Sequence, residues 1–234
     1  TLKLTSGSTL DNIIGGSGND VLTGNQLDNT FTGNAGNDTM AGGNGNDTYI
    51  FGPASLAEAD ILTEAANAGT DTLSFSSLTT DVLLSLGSTA IQTVHTNRTL
   101  KLNSAATFEK AIGGSGNDTL TGNSLANTLT GGAGNDRLIG GLGDDTYGFG
   151  LASAAEADTV TEAANAGTDT LNFFSLTTDA ILNLGSTAIQ TVHTNRTLKL
   201  NAATTFEHAI GGSGNDMLVG NTLANTLTGG AGND

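Results

Sequence analysis

The sequence predicts an all-β fold in which short parallel strands stack into a solenoid. Glycine is very frequent, at 34 of 234 residues, whereas proline occurs once and aromatic residues make up only 4%. A nine-residue unit is also repeated head to tail. Hydrophobic residues amount to 36%, which is low for a layered globule but sufficient if each short coil buries one or two aliphatic side chains against its neighbours.

A longer repeat encloses the short one. The hexapeptide GGSGND starts at Gly15, Gly113 and Gly211, so the long period is 98 residues. Four nine-residue units fill 15–50 and 113–148, and degenerate coils are expected to follow each block. We therefore expect the end of a preceding repeat, two complete repeats and the start of a third, at residues 1–14, 15–112, 113–210 and 211–234. Since both ends fall inside a repeat, we expect the chain to be part of a longer protein.

Each nine-residue unit predicts one loop and one very short strand. In the second repeat the units read GGSGNDTLT, GNSLANTLT, GGAGNDRLI and GGLGDDTYG. Six turn-forming residues suit a loop, and the three that follow suit a strand whose middle side chain points inward. We expect this position to form an internal aliphatic column made of Leu22, Met40, Leu120, Leu129, Leu138 and Leu218.

The charge balance favours cations as partners. The formal net charge is −16, from 23 acidic and 7 basic residues, so nucleic acid and anionic membrane surfaces are poor partners on electrostatic grounds. The chain has no cysteine to form disulfides. No run of about 18 apolar residues is present, so membrane insertion is not expected.

The nine-residue units resemble the RTX, or haemolysin-type, calcium-binding repeat GGxGxDxUx. Eight near-matches in register make the resemblance specific. It implies a right-handed parallel β-roll, or β-solenoid, in which two units form one coil and calcium ions lie between loops stacked eighteen residues apart. Glycine allows carbonyl oxygens to converge in the tight loop, and the aspartate at position six adds charge.

Applied residue by residue, the resemblance implies three calcium sites along one edge of the roll. Each would combine four carbonyl oxygens with two carboxylates, and six oxygens satisfy a hard cation that takes six to eight. The implied ligands are Gly16, Gly18 and Asp20 with Gly33, Ala35 and Asp38; Gly114, Gly116 and Asp118 with Gly131, Ala133 and Asp136; and Gly212, Gly214 and Asp216 with Gly229, Ala231 and Asp234.

The opposite edge departs from the repeat. Asn29, Asn127 and Asn225 stand where aspartate is expected, in the loops GNQLDN, GNSLAN and GNTLAN. This departure favours a metal-free asparagine turn there. A weaker calcium site that includes Asp47 or Asp145 is the alternative.

Acidic residues precede short apolar strands between the repeat blocks as well. They are Asp60, Asp71, Asp81 and Glu109 in the first repeat and Asp158, Asp169, Asp179 and Glu207 in the second. These acids are either solvated turn residues or an extension of the acidic column into further calcium sites. The segments are expected to form solenoid coils with longer loops, and a compact β-element at 82–103 and 180–201 is the alternative, because polar and apolar residues alternate there.

Other residues carry weaker signals. His95 and His193 lack a second histidine or a nucleophile nearby, so we expect a surface role. Threonine pairs at 119–121 and 128–130 would suit a glycan- or ice-binding face, but Arg137 and Gly148 interrupt the row and threonine is a common exposed strand residue. No serine elbow, catalytic carboxylate pair or phosphate loop is present, so we do not expect an enzyme.

Two functions fit these features. The leading hypothesis is a calcium-folded stalk or fibre of a secreted or cell-surface bacterial protein, such as an adhesin or a matrix or sheath protein, with other copies of itself as possible partners. The alternative is a secretion and folding module of an exported RTX enzyme or toxin. The resemblance implies export of an unfolded chain by type I secretion and calcium-driven folding outside the cell.

Overall fold

Every regular element of the computed structural model, which describes residues 1–3, 9–66 and 68–234, is a β-strand. Within these residues no helix is long and apolar enough to cross a membrane. The strands, in chain order, are β1 Leu2–Lys3, β2 Asn12–Ile14, β3 Val21–Thr23, β4 Thr30–Thr32, β5 Thr39–Ala41, β6 Thr48–Ile50, β7 Glu58–Thr63, β8 Thr72–Ser74, β9 Leu83–Ser85, β10 Gln92–His95, β11 Arg98–Leu102, β12 Lys110–Ile112, β13 Thr119–Thr121, β14 Thr128–Thr130, β15 Arg137–Ile139, β16 Thr146–Gly148, β17 Glu156–Thr161, β18 Thr170–Asn172, β19 Ile181–Asn183, β20 Gln190–His193, β21 Arg196–Leu200, β22 His208–Ile210, β23 Met217–Val219 and β24 Thr226–Thr228.

The short strands pair in parallel with the next strand but one. Leu22 lies opposite Met40, and Leu120 lies opposite Leu138. These pairs are eighteen residues apart, so two nine-residue units form one coil. The predicted parallel β-roll is confirmed.

The roll has two faces of unequal continuity. The first, the continuous sheet, has ten strands in the order β2-β4-β6-β8-β12-β14-β16-β18-β22-β24. The second, the segmented face, consists of the six-stranded sheets β1-β3-β5-β7-β11-β10 and β20-β21-β17-β15-β13-β9 and the pair β19-β23.

Antiparallel hairpins divide the segmented face. Strand β11 adds to β7 in parallel, and β10 then folds back antiparallel on β11 and ends the sheet. Strand β9 begins the next sheet by pairing with β13. Strands β20 and β21 repeat the hairpin in the second repeat. A hairpin therefore interrupts the coils within 82–103 and 180–201, where a compact β-element was the alternative. Strands β7, β8, β9 and β12 still pair in parallel with the neighbouring coils, as expected for solenoid coils with longer loops.

One side chain in each repeat joins neighbouring sheets of the segmented face. Gln92 of β10 accepts the Ser85 backbone N–H at 2.8 Å and donates to the Ser85 carbonyl at 2.8 Å. Gln190 makes the same two contacts with Asn183, at 2.8 and 3.0 Å. Because an amide side chain has one acceptor and one donor group, it replaces a backbone ladder pair where the strands themselves do not pair.

The core is a double column of inward side chains. Leu22, Met40, Leu120 and Leu138 are buried on the segmented face and Leu129 on the continuous sheet, as predicted, whereas Leu218 is only partly buried. Most of the few aromatic residues also lie in the core, and several stack from coil to coil. The ring centroids of Phe31 and Tyr49, for example, are 4.9 Å apart.

The outward row of the continuous sheet is rich in threonine but interrupted. Thr48 and Thr72 are neighbours in this row, and Lys110 follows them. His208 interrupts the second stretch after Thr170. These breaks add to those already visible in the sequence.

Candidate metal sites

The loops between strands form two edges. The first edge contains the loops that lead into the segmented face, with Asp20, Asp38 and Asp60 in the first repeat. The second edge contains the loops that lead into the continuous sheet, with Asn29 and Asp47 in the first repeat. Residues at the sixth loop position stack from coil to coil because the coils are in register.

Carboxylates of the first edge form a ladder. The Gly114 N–H donates to Asp118 Oδ2 at 2.7 Å within one loop. Asp136 Oδ1 accepts the Asp118 N–H at 2.8 Å, and Asp158 Oδ1 accepts the Asp136 N–H at 2.9 Å. Asp20, Asp38 and Asp60 repeat the pattern, and Asp216 and Asp234 begin it again. The ladder therefore brings the predicted aspartates of successive loops together.

Glycine at the first loop position makes room for oxygen atoms. A Cβ on Gly113 would meet both Asp118 Oδ2 and the Gly131 carbonyl oxygen. The equivalent places in the other repeats hold Asp20 with the Gly33 carbonyl and Asp216 with the Gly229 carbonyl. Any larger residue would displace an oxygen that the resemblance assigns to calcium.

Five more of the predicted carbonyl groups face the next stacked loop. The Gly114 carbonyl accepts the Ala133 N–H at 3.0 Å, and the Gly212 carbonyl accepts the Ala231 N–H at 3.0 Å. The carbonyls of Gly18, Gly116 and Gly214 face glycines of the loop one coil further on. Gly16 donates its N–H to Asp20, and Ala35 lies at an exposed loop tip.

The first-edge carboxylates have free oxygen atoms suited to a cation. The Oδ2 atoms of Asp38 and Asp136 are buried and accept no hydrogen bond. Buried ionised oxygens need a partner, and calcium prefers carboxylate and carbonyl oxygens. The donor set at this edge therefore fits the calcium ion that the repeat implies.

An arginine closes the first-edge ladder in each repeat. Arg196 is buried, pairs with Asp158, and lies 2.6 Å from Glu156. Its guanidinium also lies over the Phe149 ring, at 5.4 Å. Arg98 makes the same contacts in the first repeat. Arg98 and its partner Glu58 are forty residues apart in the sequence, and the parallel pairing of β11 with β7 brings them together.

The asparagines of the second edge are satisfied without a metal. Asn127 Oδ1 accepts the Asn123 N–H at 2.7 Å, the bond that aspartate makes on the first edge. Its Nδ2 donates to the carbonyls of Phe108 and Glu109, at 3.4 and 3.3 Å. An amide group thus occupies the position that a cation would otherwise fill, which favours the metal-free turn.

Acids continue the second-edge ladder beyond the asparagines. Asp145 Oδ1 accepts the Asn127 N–H at 2.7 Å, and Asp169 Oδ1 accepts the Asp145 N–H at 2.9 Å. Glu207 follows, accepting the Asp169 N–H at 2.9 Å. Asp47, Asp71 and Glu109 form the same series in the first repeat. These inter-block acids are ladder members, and the aspartates among them are buried.

Two buried glutamates that sequence reasoning missed lie beside the second-edge ladder. Glu64 approaches Asp47 and Asp71, and Glu162 approaches Asp145 and Asp169. Each receives a hydrogen bond from the hydroxyl of a core tyrosine, Tyr49 or Tyr147. The available signal was their shared place at the end of the segments EADILTE and EADTVTE.

Asp81 and Asp179 lie one residue out of register with the buried ladder. Val82 and Ala180 occupy the sixth loop position instead and donate their N–H groups to Asp118 and Asp216. Asp81 is exposed and accepts the Asn117 N–H at 2.8 Å, in an outer row at the fifth loop position. Asp179 does the same with Asn215.

Burial opposes ionisation of these carboxyl groups. Desolvation is the largest cause, and it raises the pKa of Asp136 to about 7, of Asp145 to about 7 and of Glu64 to about 8. Neighbouring carboxylates raise the pKa of Asp145 further, through Asp169. The buried acids therefore need either protons or cations at neutral pH.

The histidines are buried, not on the surface as expected. His95 and His193 are 8% and 6% exposed and lie in the hairpins beside the buried arginines. Burial is the first cause of a lowered pKa for both, and the neighbouring arginine adds to it. Both side chains are therefore neutral at physiological pH and belong to the packing of the hairpin.

Comparisons with known proteins identify the repeats. The family described as "RTX calcium-binding nonapeptide repeat (4 copies)" matches residues 6–26, 14–49 and 112–147. The family described as "Peptidase M10 serralysin C terminal" matches residues 159–234.

Two curated relatives are both serralysins, from Photorhabdus laumondii subsp. laumondii and Photorhabdus luminescens. Each is 42% identical over 62 residues, which cover 26% of this chain and 13% of the relative. The similarity therefore concerns a small part of those proteins. Together with the β-roll and the stacked GGxGxD loops, the family matches show that residues 6–49 and 112–147 are RTX calcium-binding repeats and that residues 159–234 are similar to a serralysin C-terminal region.

Proposed function

We propose that this chain is a calcium-folded structural segment, a stalk or fibre element, of a secreted or cell-surface bacterial protein. One observation carries the proposal. Among the described residues, fourteen carboxylate side chains are buried but only two arginines are. The folded roll therefore requires cations that the chain itself does not supply.

The size of this imbalance makes folding depend on the metal. Burying an unpaired ion costs several kcal/mol even after relaxation, and the whole stability of a domain is only about 5–15 kcal/mol. With a glycine-rich backbone that loses much entropy on ordering, the metal-free chain at neutral pH is unfolded. Calcium binding and folding are then one event.

The difference in free calcium between the cell interior and the exterior determines where the chain folds. Extracellular calcium modules have dissociation constants of about 10⁻⁴ to 10⁻³ M, so they stay empty where free calcium is scarce and fill outside the cell. An unfolded chain suits export through a narrow channel. Secretion by a type I system followed by calcium-driven folding agrees with this physical behaviour.

The negative net charge limits the kinds of partner that the chain can bind. A net charge of −16 disfavours nucleic acid and anionic membranes. Calcium ions are the partners, and other copies of the chain are partners in a fibre. We assign no catalytic activity to the segment, because its polar clusters are explained by the calcium-binding repeat.

A second candidate is a carboxy-terminal secretion and folding module of an exported enzyme. The match of residues 159–234 to a serralysin C-terminal family favours it. The near-identity of successive long repeats favours the stalk, because a folding module needs only a few calcium turns. Measuring whether tandem copies of the segment lengthen a single rod, by small-angle scattering in calcium, separates the two: end-to-end stacking supports the stalk, and independent flexibly linked bodies support the module.

A calcium titration tests the proposed function. The chain, started in excess chelator, should gain β-structure cooperatively in far-ultraviolet circular dichroism as calcium is added. Magnesium should not replace calcium, since it demands tight octahedral geometry and keeps its waters. Equal β-structure in chelator and in calcium would rule out calcium-gated folding and leave only a constitutive scaffold.

A further inference from the structure

A cluster of three buried carboxylates lies on the second edge of each repeat, opposite the paired GGxGxD loops of the first edge. One member, Asp47 or Asp145, is the sixth residue of a GGxGxD loop, and the other two lie outside the nine-residue units. In the second repeat the cluster consists of Asp145, Glu162 and Asp169, which are 0%, 3% and 1% exposed. One carboxylate oxygen from each lies within 4.8 Å of the others. Asp47, Glu64 and Asp71 form the same cluster in the first repeat. We call the two clusters the triads.

Oxygen atoms in the triads lack partners. The Oδ1 atoms of Asp145 and Asp169 accept backbone N–H groups of the ladder. Their Oδ2 atoms are buried and accept no hydrogen bond, and Asp47 Oδ2 is in the same state. These free oxygens are an observation independent of the acidic clustering, because a well-packed protein interior satisfies its polar atoms.

Oxygen atoms of two acids in each triad converge on one glycine. A Cβ on Gly140 would meet Asp145 Oδ2, Glu162 Oε1 and the Tyr147 hydroxyl. Gly42 is placed in the same way against Asp47 and Glu64. The absence of a side chain at this glycine leaves room beside the carboxylate oxygens.

On the first edge, basic side chains of the chain itself neutralise some of the buried acids. There, Arg196 pairs with Glu156 and Asp158, and Arg98 pairs with Glu58 and Asp60. In the part of the chain that the structure describes, these are the only ion pairs, and no basic side chain reaches a triad. The equivalent cation at the second edge must come from solution.

Calcium fits the triad geometry. Calcium–oxygen distances are 2.3–2.6 Å, so two ligand oxygens on one ion lie at most about 5 Å apart, and the 4.8 Å limit satisfies this. A triad supplies three carboxylates, whereas a paired GGxGxD site supplies two. Calcium affinity rises with the number of charged ligands and with site rigidity.

We propose that each triad binds one calcium ion and is a high-affinity site that fills before the paired GGxGxD sites. This inference rests on the proposed calcium-dependent folding and adds Glu64 and Glu162 as ligands. The bound ion joins β6 to β7 and β8, and β16 to β17 and β18, where the nine-residue coils give way to the longer coil with its hairpin. The ion therefore stabilises the junction between the nine-residue coils and the longer coil.

Terbium luminescence tests the proposal, because the chain has two tyrosines and no tryptophan. Both tyrosine hydroxyls bond a triad glutamate. Terbium bound in a triad should therefore be excited efficiently through tyrosine, and calcium should compete for it. The variants are Glu64→Gln, Glu162→Gln and the double variant, which keep the side-chain size and remove the charge. Asp28→Asn/Asp144→Asn is the control, because it removes the same charge from exposed positions near the triads.

Each single variant should lose one tyrosine-excited terbium site and leave the other, and the double variant should lose nearly all the emission. Loss of a second-shell partner alone lowers metal affinity roughly 10–100-fold, so loss of a ligand charge should weaken binding at least about tenfold. Each single variant retains one triad and most paired loops, which keeps it folded. Emission unchanged in folded variants would overturn the triad sites. Calcium-induced folding of the parent chain would still stand in that case, and its absence would reject the proposed function instead.

Discussion

Arg98 and Arg196 show at the residue scale how a buried charge is compensated within the chain. Each guanidinium contacts two acids of the first edge and covers the ring of Phe51 or Phe149. Arginine suits this place because its planar group bonds two carboxylates at once and stacks on an aromatic face. Each arginine therefore ends a ladder that would otherwise require another ion.

Replacing Arg98 with methionine should destabilise the roll strongly. The substitution keeps apolar volume but leaves Glu58 and Asp60 buried without their cation, which costs about 3–5 kcal/mol for a broken buried pair. Urea unfolding at saturating calcium measures the loss. The control is Lys101→Met, which removes one positive charge from an exposed position of the same strand and should change the free energy of unfolding by no more than about 0.5 kcal/mol. Equal effects of the two substitutions would contradict the assigned role.

Site residues could be predicted from the sequence where they belong to the repeated loop. The first-position glycines were readable because every unit repeats them in the same register, and the sixth-position aspartates were readable because most units do. Glu64 and Glu162 were not readable, since they lie outside the nine-residue pattern and reach the ladder only through the path of β7 and β17. Asp81 shows the opposite error, because a one-residue offset moves a side chain to another row.

The hairpin is the element that distinguishes this roll from a plain stack of nine-residue coils. Strands β10 and β11 end one six-stranded sheet, and β9 starts the next. Gln92 bridges the break with two hydrogen bonds to Ser85. The continuous sheet runs past this point without interruption, so each hairpin divides only one face.

Substituting Gln92 with alanine should loosen the junction between the two sheets. The Ser85 N–H loses its partner, and the Ser85 carbonyl keeps only the Ser88 N–H at 3.4 Å. A typical hydrogen bond contributes about 1 kcal/mol net, which is roughly a fivefold change in an opening equilibrium. Amide hydrogen exchange at Ser85 should accelerate accordingly. Gln26→Ala, at an exposed loop position, is the matched control. If exchange at Ser85 is unaffected, the glutamine bridge does not hold the sheets together.

Alternation of polar and apolar residues indicated strands in this region but left their partners open. The segment TAIQTVHTNRTLKLN reads equally well as stretched coil or as hairpin, because pairing direction is not encoded in a period of two. The tight turn between His95 and Arg98 selects the antiparallel pairing. Burial of both histidines follows from that choice, which explains why the expected surface role was wrong.

The whole molecule is a stack of coils, and its stability depends on whether the carboxylates in its two ladders are neutralised. The continuous sheet has ten strands, which at about 4.8 Å per strand gives a length of about 48 Å. Within the roll the strands themselves are only three residues long in most coils. We therefore expect cations bound at the edges to supply a large part of the stability that such short strands cannot provide.

Stability without calcium should rise as the pH falls. Burial raises the pKa of Asp47 to about 6, of Asp71 to about 7 and of Glu64 to about 8, above the ordinary values near 4 of the unfolded chain. A raised folded-state pKa gives a contribution that is fully present below about pH 4 and is lost as the pH rises through about 6 to about 8. Circular dichroism in chelator should therefore show β-structure appearing as the solution is acidified through this window.

Calcium should reverse this dependence. Its ligands are ionised carboxylates, so protonation competes with the metal and acidification should raise the calcium concentration needed for folding. The same pH series repeated in calcium provides the comparison. Loss of β-structure on mild acidification in chelator would contradict the sign of the prediction.

The nine-residue period by itself determined the inward aliphatic positions, and the resemblance to the RTX repeat implied the parallel roll, the two-unit coil and the calcium-binding character of the loops. Each of these depends on a local pattern that repeats in register, and a repeated pattern builds the same local structure every time. Only the tertiary structure decided the hairpins, the buried arginines, the register of Asp81 and Asp179 and the triads. The contacts of the arginines, the triads and the outer aspartates join residues that are 15 to 40 positions apart, and no periodic pattern in the sequence indicates which of these residues meet.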